Sequence, residues 1–136
     1  MSKVKGSRTE RELMNLFFQT GEFLSLRAAG SGSTPLPCTD LVVGGRGRVL
    51  AIECKSGKGT RYIKKEQIEE LLEFSKFFGA EPWLGTRFDN NEWLFLEIPD
   101  LKKSKTGNNF VINLKMAKEK GINFDELIGK YKQVKF

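Results

Sequence analysis

The sequence DLVVGGRGRVLAIECK, residues 40–55, decides the fold, because it reads as two strands joined by a tight turn. Two β-branched, apolar runs flank the segment Gly44-Gly45-Arg46-Gly47, a pattern typical of a β-hairpin. A turn centred on Arg46-Gly47 places Asp40 directly opposite Glu53. Residues paired in this way have Cβ atoms about 4.5–5.5 Å apart, so the two carboxylates are predicted to be close neighbours.

This predicted acid pair favours a metal site. Two carboxylates at such a distance repel each other unless a cation lies between them, and Mg²⁺ or Mn²⁺ is the usual cation for oxygen ligands. Lys55 follows Glu53 by two residues, so both side chains project from the same face of the strand. The set suits phosphodiester hydrolysis, in which a metal ion activates water and a lysine orients it or stabilises developing charge. The alternative is an ordinary surface Asp, Glu and Lys near a strand end.

The segments on either side of the hairpin predict an α/β chain with one compact domain, residues 1–136, and no internal repeat. Apolar spacing, turn residues and capping residues predict a helix over 6–20, a short strand over 22–28, a loop over 30–37, an amphipathic helix over 64–78 ending at Gly79, strands over 81–88 and 92–98, and a last helix capped by Asn123 or Asp125 and running to about 133. On the helix over 64–78, one apolar stripe is predicted to hold Ile68, Leu71, Leu72, Ser75 and Phe78.

Glu10 lies on the first predicted helix, on the same stripe as Leu13, Met14 and Phe17. A carboxylate on a core-facing stripe needs a partner, so Glu10 is a candidate for a further metal ligand or a second acid near the metal. The alternative is a glutamate in the first turn that is stabilised by the helix dipole.

Composition narrows the chemistry. The chain has 23 basic and 17 acidic residues, a net charge of +6, which favours a polyanionic partner. It has no histidine, which excludes Ser-His-Asp and Cys-His catalysis and imidazole-ligated zinc. Cys38 and Cys54 do not form a CxxC pair, no signal-peptide pattern is found, and no apolar run approaches the ~20 residues of a membrane span. We expect an intracellular, cytoplasmic protein with free thiols.

Several motifs together resemble the archaeal-type Holliday junction resolvases, within the PD-(D/E)xK nucleases. The resemblance covers roughly residues 5–98 and rests on Lys5-Gly6, Glu10-Arg11-Glu12-Leu13, Arg27-Ala28-Ala29-Gly30-Ser31, Asp40, Ile52-Glu53-Cys54-Lys55 and Glu73-Phe74-Ser75-Lys76-Phe77-Phe78-Gly79. It departs from the PD signature at Thr39, where proline is expected, and the final forty residues match poorly. The resemblance implies a restriction-endonuclease-like fold, with a central mixed β-sheet of about five strands flanked by helices.

The resemblance also implies roles for individual residues. Glu10, Asp40 and Glu53 would be the metal-binding acids, holding Mg²⁺ with Mn²⁺ as a plausible substitute, and Lys55 would be the catalytic lysine. Arg11, Arg27 and Ser31 match positions around the active site and the DNA.

The implied function is the resolution of four-way DNA junctions by a homodimer that makes paired symmetric nicks, because a two-fold symmetric substrate requires two active sites. Phe74, Phe77 and Phe78 are predicted to contribute to the dimer contact. The alternative is that all three fill the monomer core. The candidate phosphate contacts are Lys3, Lys5, Arg8, Arg46, Arg48, Lys58, Arg61, Lys64 and Lys65. The alternative for each of them is an ordinary solvated side chain. The alternatives are another restriction-like endonuclease with a different DNA target, or a non-catalytic DNA-binding subunit.

Overall fold

The computed structural model describes the backbone of residues 2–28 and 35–135, and the side chains of residues 7–28 and 35–129. Among the predicted site residues, Ser31 therefore lies outside the described residues. Lys3 and Lys5 lie in the first helix, but their side chains are outside the described part. No helix in the described part of the chain is long and apolar enough to cross a membrane.

The described residues form four α-helices and eight strands around two sheets. In chain order they are α1 (Ser2–Gln19), β1 (Leu24–Arg27), β2 (Leu41–Gly45), β3 (Arg48–Gly57), β4 (Arg61–Lys64), α2 (Lys65–Phe78), β5 (Glu81–Phe88), β6 (Leu94–Glu97), β7 (Lys102–Lys103), β8 (Asn109–Ile112), α3 (Leu114–Lys120) and α4 (Phe124–Lys135). The main sheet has the order β1-β2-β3-β5-β6, and only its β3–β5 pair is parallel. The predicted mixed sheet of about five strands is confirmed.

The β2–β3 hairpin has the predicted register. Leu41 pairs with Ile52 and Gly45 pairs with Arg48, so the turn is centred on Arg46 and Gly47. Both turn residues have positive φ, 54° at Arg46 and 75° at Gly47, as a type I′ turn requires. The local sequence around the turn therefore fixes which residues of β2 and β3 face each other.

The two faces of the main sheet pack against different helices. On one face, Leu13 and Phe17 of α1 join a core that contains Leu50, Ile52 and Phe95. Because strand side chains alternate, Ala51, Glu53 and Lys55 project from the opposite face. On that face α2 contributes Ile68 to a second core with Leu84 and Leu96. Strand β3, which carries Glu53 and Lys55, thus lies between the two cores.

Helix α2 matches its predicted span within one residue and ends at Gly79, which adopts the left-handed conformation. Its predicted apolar stripe is partly wrong. Ile68, Leu71 and Ser75 are buried, but Leu72 and Phe78 are exposed. The helix presents a narrow strip to β3 and β5, so the flank that carries Leu72 and Phe78 faces away from the core.

A second, three-stranded sheet was not predicted from the sequence. It has the order β4-β8-β7 and is antiparallel throughout. Its inner residues Ile63, Phe110 and Ile112 pack into the same core as Ile68 of α2. The last helix agrees with the prediction, since Asn123 caps α4 by accepting a hydrogen bond from the Glu126 amide at 2.8 Å.

Arg48 is a structural residue, and its prediction as a phosphate contact is wrong. Its side chain is buried, donates to both Glu81 oxygens at 2.7 Å and donates to the Leu127 carbonyl at 2.8 Å. It thereby joins α4 to the neighbouring strands β3 and β5. Arg46 is also engaged within the chain, with Glu22 at 3.5 Å and the Ile128 carbonyl at 3.4 Å.

Gly45, at the end of β2, lies so close to the segment leading into β1 that a side chain at this position should clash with it. A Cβ on Gly45 would lie 2.1 Å from the Glu22 carbonyl oxygen and 2.6 Å from Phe23 Cδ1, whereas a Cβ on Gly44 would meet nothing within 4 Å. We expect Gly45→Ala to lower the free energy of unfolding by about 1–3 kcal/mol. Gly44→Ala, the matched control on the adjacent residue, should change it by less than about 0.5 kcal/mol. Urea denaturation would measure both, and equal effects would contradict this close approach.

Candidate active site

Asp40 and Glu53 form a buried pair of carboxyl groups. Asp40 directly precedes β2, and the register that pairs Leu41 with Ile52 carries it opposite Glu53. The two side chains are close enough to share a hydrogen bond, and Glu53 is buried. The Cys54 amide donates to Asp40 Oδ2 at 2.8 Å, and Thr39 Oγ1 donates to the Ile52 carbonyl at 3.0 Å. These two hydrogen bonds fix the entrance of β2 against β3, so Asp40 is held in place by backbone geometry.

The electrostatics of this pair favour a bound cation. Burial raises the pKa of Asp40, although the hydrogen bond from the Cys54 amide opposes the shift. Burial and then the charge of Asp40 raise the pKa of Glu53 to about 8, against a lowering by Lys55. Two buried carboxyls that hold a proton near neutral pH are the expected state of a pair without a counter-charge. The donor set therefore fits a hard divalent cation, which would replace that proton.

Lys55 completes the group predicted from the hairpin. It follows Glu53 by two residues on β3, lies half-buried, and its positive charge favours the ionised forms of both Asp40 and Glu53. The structure thus brings Asp40, Glu53 and Lys55 together at one end of β3. Their individual roles stay a prediction.

Glu10 approaches the pair from the other face of the sheet and is engaged by an arginine. Arg27 Nε of β1 donates to Glu10 Oε1 at 2.7 Å, and Arg27 Nη2 donates to Ser7 Oγ at 2.6 Å. Glu10 is close enough to raise the pKa of both Asp40 and Glu53 through its charge. Among the described residues, however, no three acidic, cysteine or histidine side chains are close enough together to hold a metal ion. The pair and Glu10 are therefore neighbours without forming a three-ligand cluster.

Sequence reasoning missed a second network that anchors α1. Arg87 of β5 donates to Glu12 Oε1 at 2.8 Å, and Trp93 Nε1 donates to the same oxygen at 2.7 Å. The hydrogen bond from Arg87 lowers the pKa of Glu12. Arg87 is paired with Ser56, the residue after Lys55, so the network holds α1 to the strand that lies beside the site. Only the proximity of Glu12 to Glu10 in the sequence hinted at it, because Arg87 lies 75 positions away.

Both cysteines are free, as predicted. Burial raises the pKa of the Cys54 thiol well above its ordinary value, and the charges of Asp40, Glu10 and Glu53 raise it further. The Cys54 thiol therefore stays protonated, so it is a poor nucleophile and a poor metal ligand. What Cys54 gives the site is its backbone amide.

The remaining predicted DNA contacts lie mostly on the surface. Arg8 and Arg11 are exposed on α1 and line an open groove of about 950 Å³. Lys58 and Lys64 are exposed, and Arg61 is half-buried beside Gly57 at the end of β3. Lys65 is exposed and lies 4.0 Å from Glu69.

Comparison with known proteins bears on the whole chain. A family model described as "Archaeal holliday junction resolvase (hjc)" matches residues 1–136. A protein of Methanocaldococcus jannaschii named "Crossover junction endodeoxyribonuclease Hjc" is 44% identical over 132 residues, 96% of this chain and 92% of that protein. The Archaeoglobus fulgidus protein of the same name is 35% identical over 135 residues, 98% of this chain and 96% of its own.

A solved structure gives the same result for the fold. The structure of Archaeoglobus fulgidus Hjc, described as a Holliday junction resolvase from an archaeal hyperthermophile, superposes with a TM-score of 0.81 at 31% identity and covers 91% of this chain and 98% of that chain. The similarity extends beyond residue 98, where the motif-based resemblance ended, into the second sheet and the last helices.

The raised pKa of Glu53 predicts how stability depends on pH without metal. The folded state favours the neutral carboxyl, so this group lowers stability as the pH rises from about 4.5, its ordinary value, through about 8. Glu53→Gln removes that loss. We expect the variant to melt at least about 5 °C above the parent at pH 9 in EDTA and to differ little at pH 5. Glu119→Gln, on the exposed side of α3, is the control. A parent melting temperature that is equally high at pH 5 and pH 9 would refute the burial argument.

Proposed function

The chain belongs to the archaeal Holliday junction resolvase family, and we propose that it resolves four-way DNA junctions by metal-dependent hydrolysis of phosphodiester bonds. It is an endodeoxyribonuclease, and its curated relatives are named for this activity. The observation that supports the proposed mechanism is the buried contact between Asp40 and Glu53, which lies beside Lys55 on the same strand.

Asp40 and Glu53 are the residues we assign to a divalent cation. Mg²⁺ is the proposed ion, with Mn²⁺ as a substitute, because the chain has no histidine, the Cys54 thiol stays protonated, and the pair itself offers carboxylate oxygens. When bound, such an ion lowers the pKa of a water molecule and polarises the phosphate. The Cys54 amide keeps Asp40 in position before and after binding, since it is part of the backbone.

The other residues of the site act through charge and position. Lys55 projects from the same face as Glu53, so its ammonium group would donate to the attacking water or to a phosphate oxygen as negative charge develops there. Glu10 is assigned an outer role, because its carboxylate is held by Arg27 at 2.7 Å. That ion pair would keep the Arg27 guanidinium near the scissile phosphate, where a fixed positive charge stabilises the transition state.

Substitutions at the pair and at the lysine test the mechanism. Asp40→Asn, Glu53→Gln and Lys55→Ala should each lower the rate of junction cleavage in Mg²⁺ by about 10³-fold or more. Binding measured in EDTA at pH 9, where Glu53 is ionised in the parent, should be unchanged or tighter for the two acid variants, because each then removes a charge that repels phosphate. The assay is a synthetic four-way junction, scored for paired nicks on opposed strands.

Glu92→Gln, at an exposed position between β5 and β6, is the control for the acid variants and should cleave at the parental rate. Cleavage by Asp40→Asn or Glu53→Gln at a similar rate would refute the metal assignment. Calorimetry with Mn²⁺ separates the roles further: Lys55→Ala should retain metal binding, whereas the acid variants should lose it.

The proposed active form is a homodimer, since a two-fold symmetric junction must be cut at two sites. An uncovered apolar surface supports this. Phe77 and Phe78, in the last turn of α2, are 78% and 56% exposed, and Phe78 stacks on Phe74 with ring centroids 4.2 Å apart. Phe74 is half-buried, so the three phenylalanines predicted for the interface do not all fill the monomer core.

The same face of the main sheet carries more uncovered apolar area on β1. Leu24 and Leu26 are 66% and 74% exposed, and they pair with Gly44 and Val42 of β2. By strand alternation these residues lie on the face that α2 covers only over β3 and β5. We therefore propose an isologous interface in which the aromatic end of α2 and the β1 edge both contribute.

Double substitution of Phe77 and Phe78 by alanine tests this interface. A symmetric dimer loses each side chain twice, and aromatic hot-spot residues each contribute about 2 kcal/mol or more, so the four losses amount to about 8 kcal/mol and the dissociation constant should rise about 10⁵-fold or more. Sedimentation should give a folded monomer that nicks junctions without paired cuts. Phe18→Ala is the control, because Phe18 is exposed on α1 at the other face. A double variant that stays dimeric would place the interface elsewhere.

A further inference from the structure

The second sheet brings together two chain segments that are rich in basic residues. Residues 58–65 contain Lys58, Arg61, Lys64 and Lys65, residues 102–109 contain Lys102, Lys103 and Lys105, and neither segment contains an acidic residue. The pairing of β4 and β7 with β8 joins these segments into one surface. A concentration of one charge sign on a small sheet is unexpected in a chain with 17 acidic residues.

One face of this sheet is uncovered. Tyr62, Val111 and Lys102 form a row across the three strands, and Lys64 and Asn109 form the next row of the same face. The opposite face carries Ile63, Phe110 and Ile112, which pack into the core. Tyr62 is 62% exposed, and Lys64 and Lys102 are exposed without a salt-bridge partner in the described part of the chain. We call Tyr62, Lys64, Lys102, Asn109 and Val111 the outer face.

The outer face is continuous with the active-site strand. Lys55 is followed by Gly57, and a Cβ at Gly57 would lie 3.2 Å from Nη1 of Arg61, the first residue of β4. Arg61 pairs with Ile112 and so belongs to the inner row, and the outer face begins at the next residue, Tyr62. Basic groups therefore extend from the catalytic lysine to Arg61 at the start of β4, beside the outer face. At the far edge the charge becomes mixed, because Asp100 and Glu119 lie beside Lys102, Lys115 and Lys120 around a groove of about 470 Å³.

We propose that the outer face binds the phosphate backbone of a duplex arm of the junction, away from the strand exchange point. This rests on the proposed function and adds a second DNA contact to it. From a strand spacing of about 4.8 Å and a rise of about 3.4 Å, the Cα atoms of Lys64 and Lys102 are roughly 12 Å apart. That separation is similar to the width of a DNA groove, so the two lysines can contact phosphates of both strands. The Tyr62 hydroxyl, on the same strand as Lys64 and in the same row as Lys102, would be a further donor.

Because side chains alternate along a strand, the two residues of β7 supply a matched pair of variants. Lys102 and Lys103 are adjacent and both exposed, but Lys102 lies in the row of the outer face and Lys103 pairs with Phe110 of the inner row. Lys102→Glu and Lys103→Glu make the same charge change at adjacent residues whose side chains project from opposite faces of the sheet. Only Lys102→Glu is expected to weaken the contact with the arm.

Affinity should be measured in EDTA by fluorescence anisotropy on two junctions, with arms of about 20 and about 6 base pairs, the shorter arm being roughly 20 Å long. On the long-armed junction we expect Lys102→Glu to raise the dissociation constant about tenfold and to reduce the log-log salt slope by about 0.9 for each lost phosphate contact. On the short-armed junction it should change affinity less than about twofold, and Lys103→Glu should do so on both. Tyr62→Phe should weaken binding to the long arms only.

Three results would overturn the proposal: parental affinity of Lys102→Glu for long arms, an equal loss on both junctions, or an equal loss in Lys103→Glu. The first result would mean that the outer face does not contact DNA, and the second that it contacts the crossover. The third would mean that the effect does not depend on which face of the sheet carries the charge. A parent protein that fails to bind either junction would instead refute the proposed function itself, and this proposal with it.

Discussion

The close contact between the carboxyl groups of Asp40 and Glu53 is the constraint on which the rest of the structure depends. Two like charges about 4 Å apart repel by about 4 kcal/mol at an effective dielectric constant of 20, so the buried pair is unfavourable when both carboxyls are ionised and holds a proton when no cation is bound. The register of β2 and β3 nevertheless enforces it, because Leu41 and Ile52 pair next to it and the Cys54 amide holds Asp40 Oδ2 at 2.8 Å. A rigid hairpin keeps together two groups that would otherwise separate.

Helix α1 is anchored on two flanks, and this anchoring determines how Glu10 meets the pair. Arg27 of β1 holds Glu10 on one flank, and Arg87 of β5 holds Glu12 on the other. Two ion pairs on opposite sides of a helix restrict its rotation about its own axis more firmly than the buried Leu13 and Phe17 would alone. Glu10 therefore has a fixed distance from Asp40 and Glu53, although it comes from the other side of the sheet.

The sequence predicted those parts of the fold that depend on local information. The hairpin register followed from a turn that requires two residues with positive φ, and the last helix from a cap at Asn123. The second sheet could not be predicted, since Lys64 pairs with Asn109 across 45 positions and its strands are at most four residues long with charged outer residues. Arg48 was misread for the same reason: its partners Glu81 and Leu127 are distant in sequence, and an arginine that begins a strand looks exposed until they are known.

The acidic residues of α2 explain why DNA and the partner protomer would use different surfaces. Glu66, Glu69, Glu70 and Glu73 are all exposed on this helix, against Lys65 and Lys76. Phosphates within a Debye length of about 10 Å would be repelled by that flank, so α2 is a poor DNA surface even though it adjoins the active-site strand. Its aromatic end is suited to contact with protein, because burial of Phe77 and Phe78 does not depend on charge. The excess positive charge is instead concentrated where β3 continues into β4, and the substrate would thereby be directed to the side of the site that the proposed dimer contact leaves open.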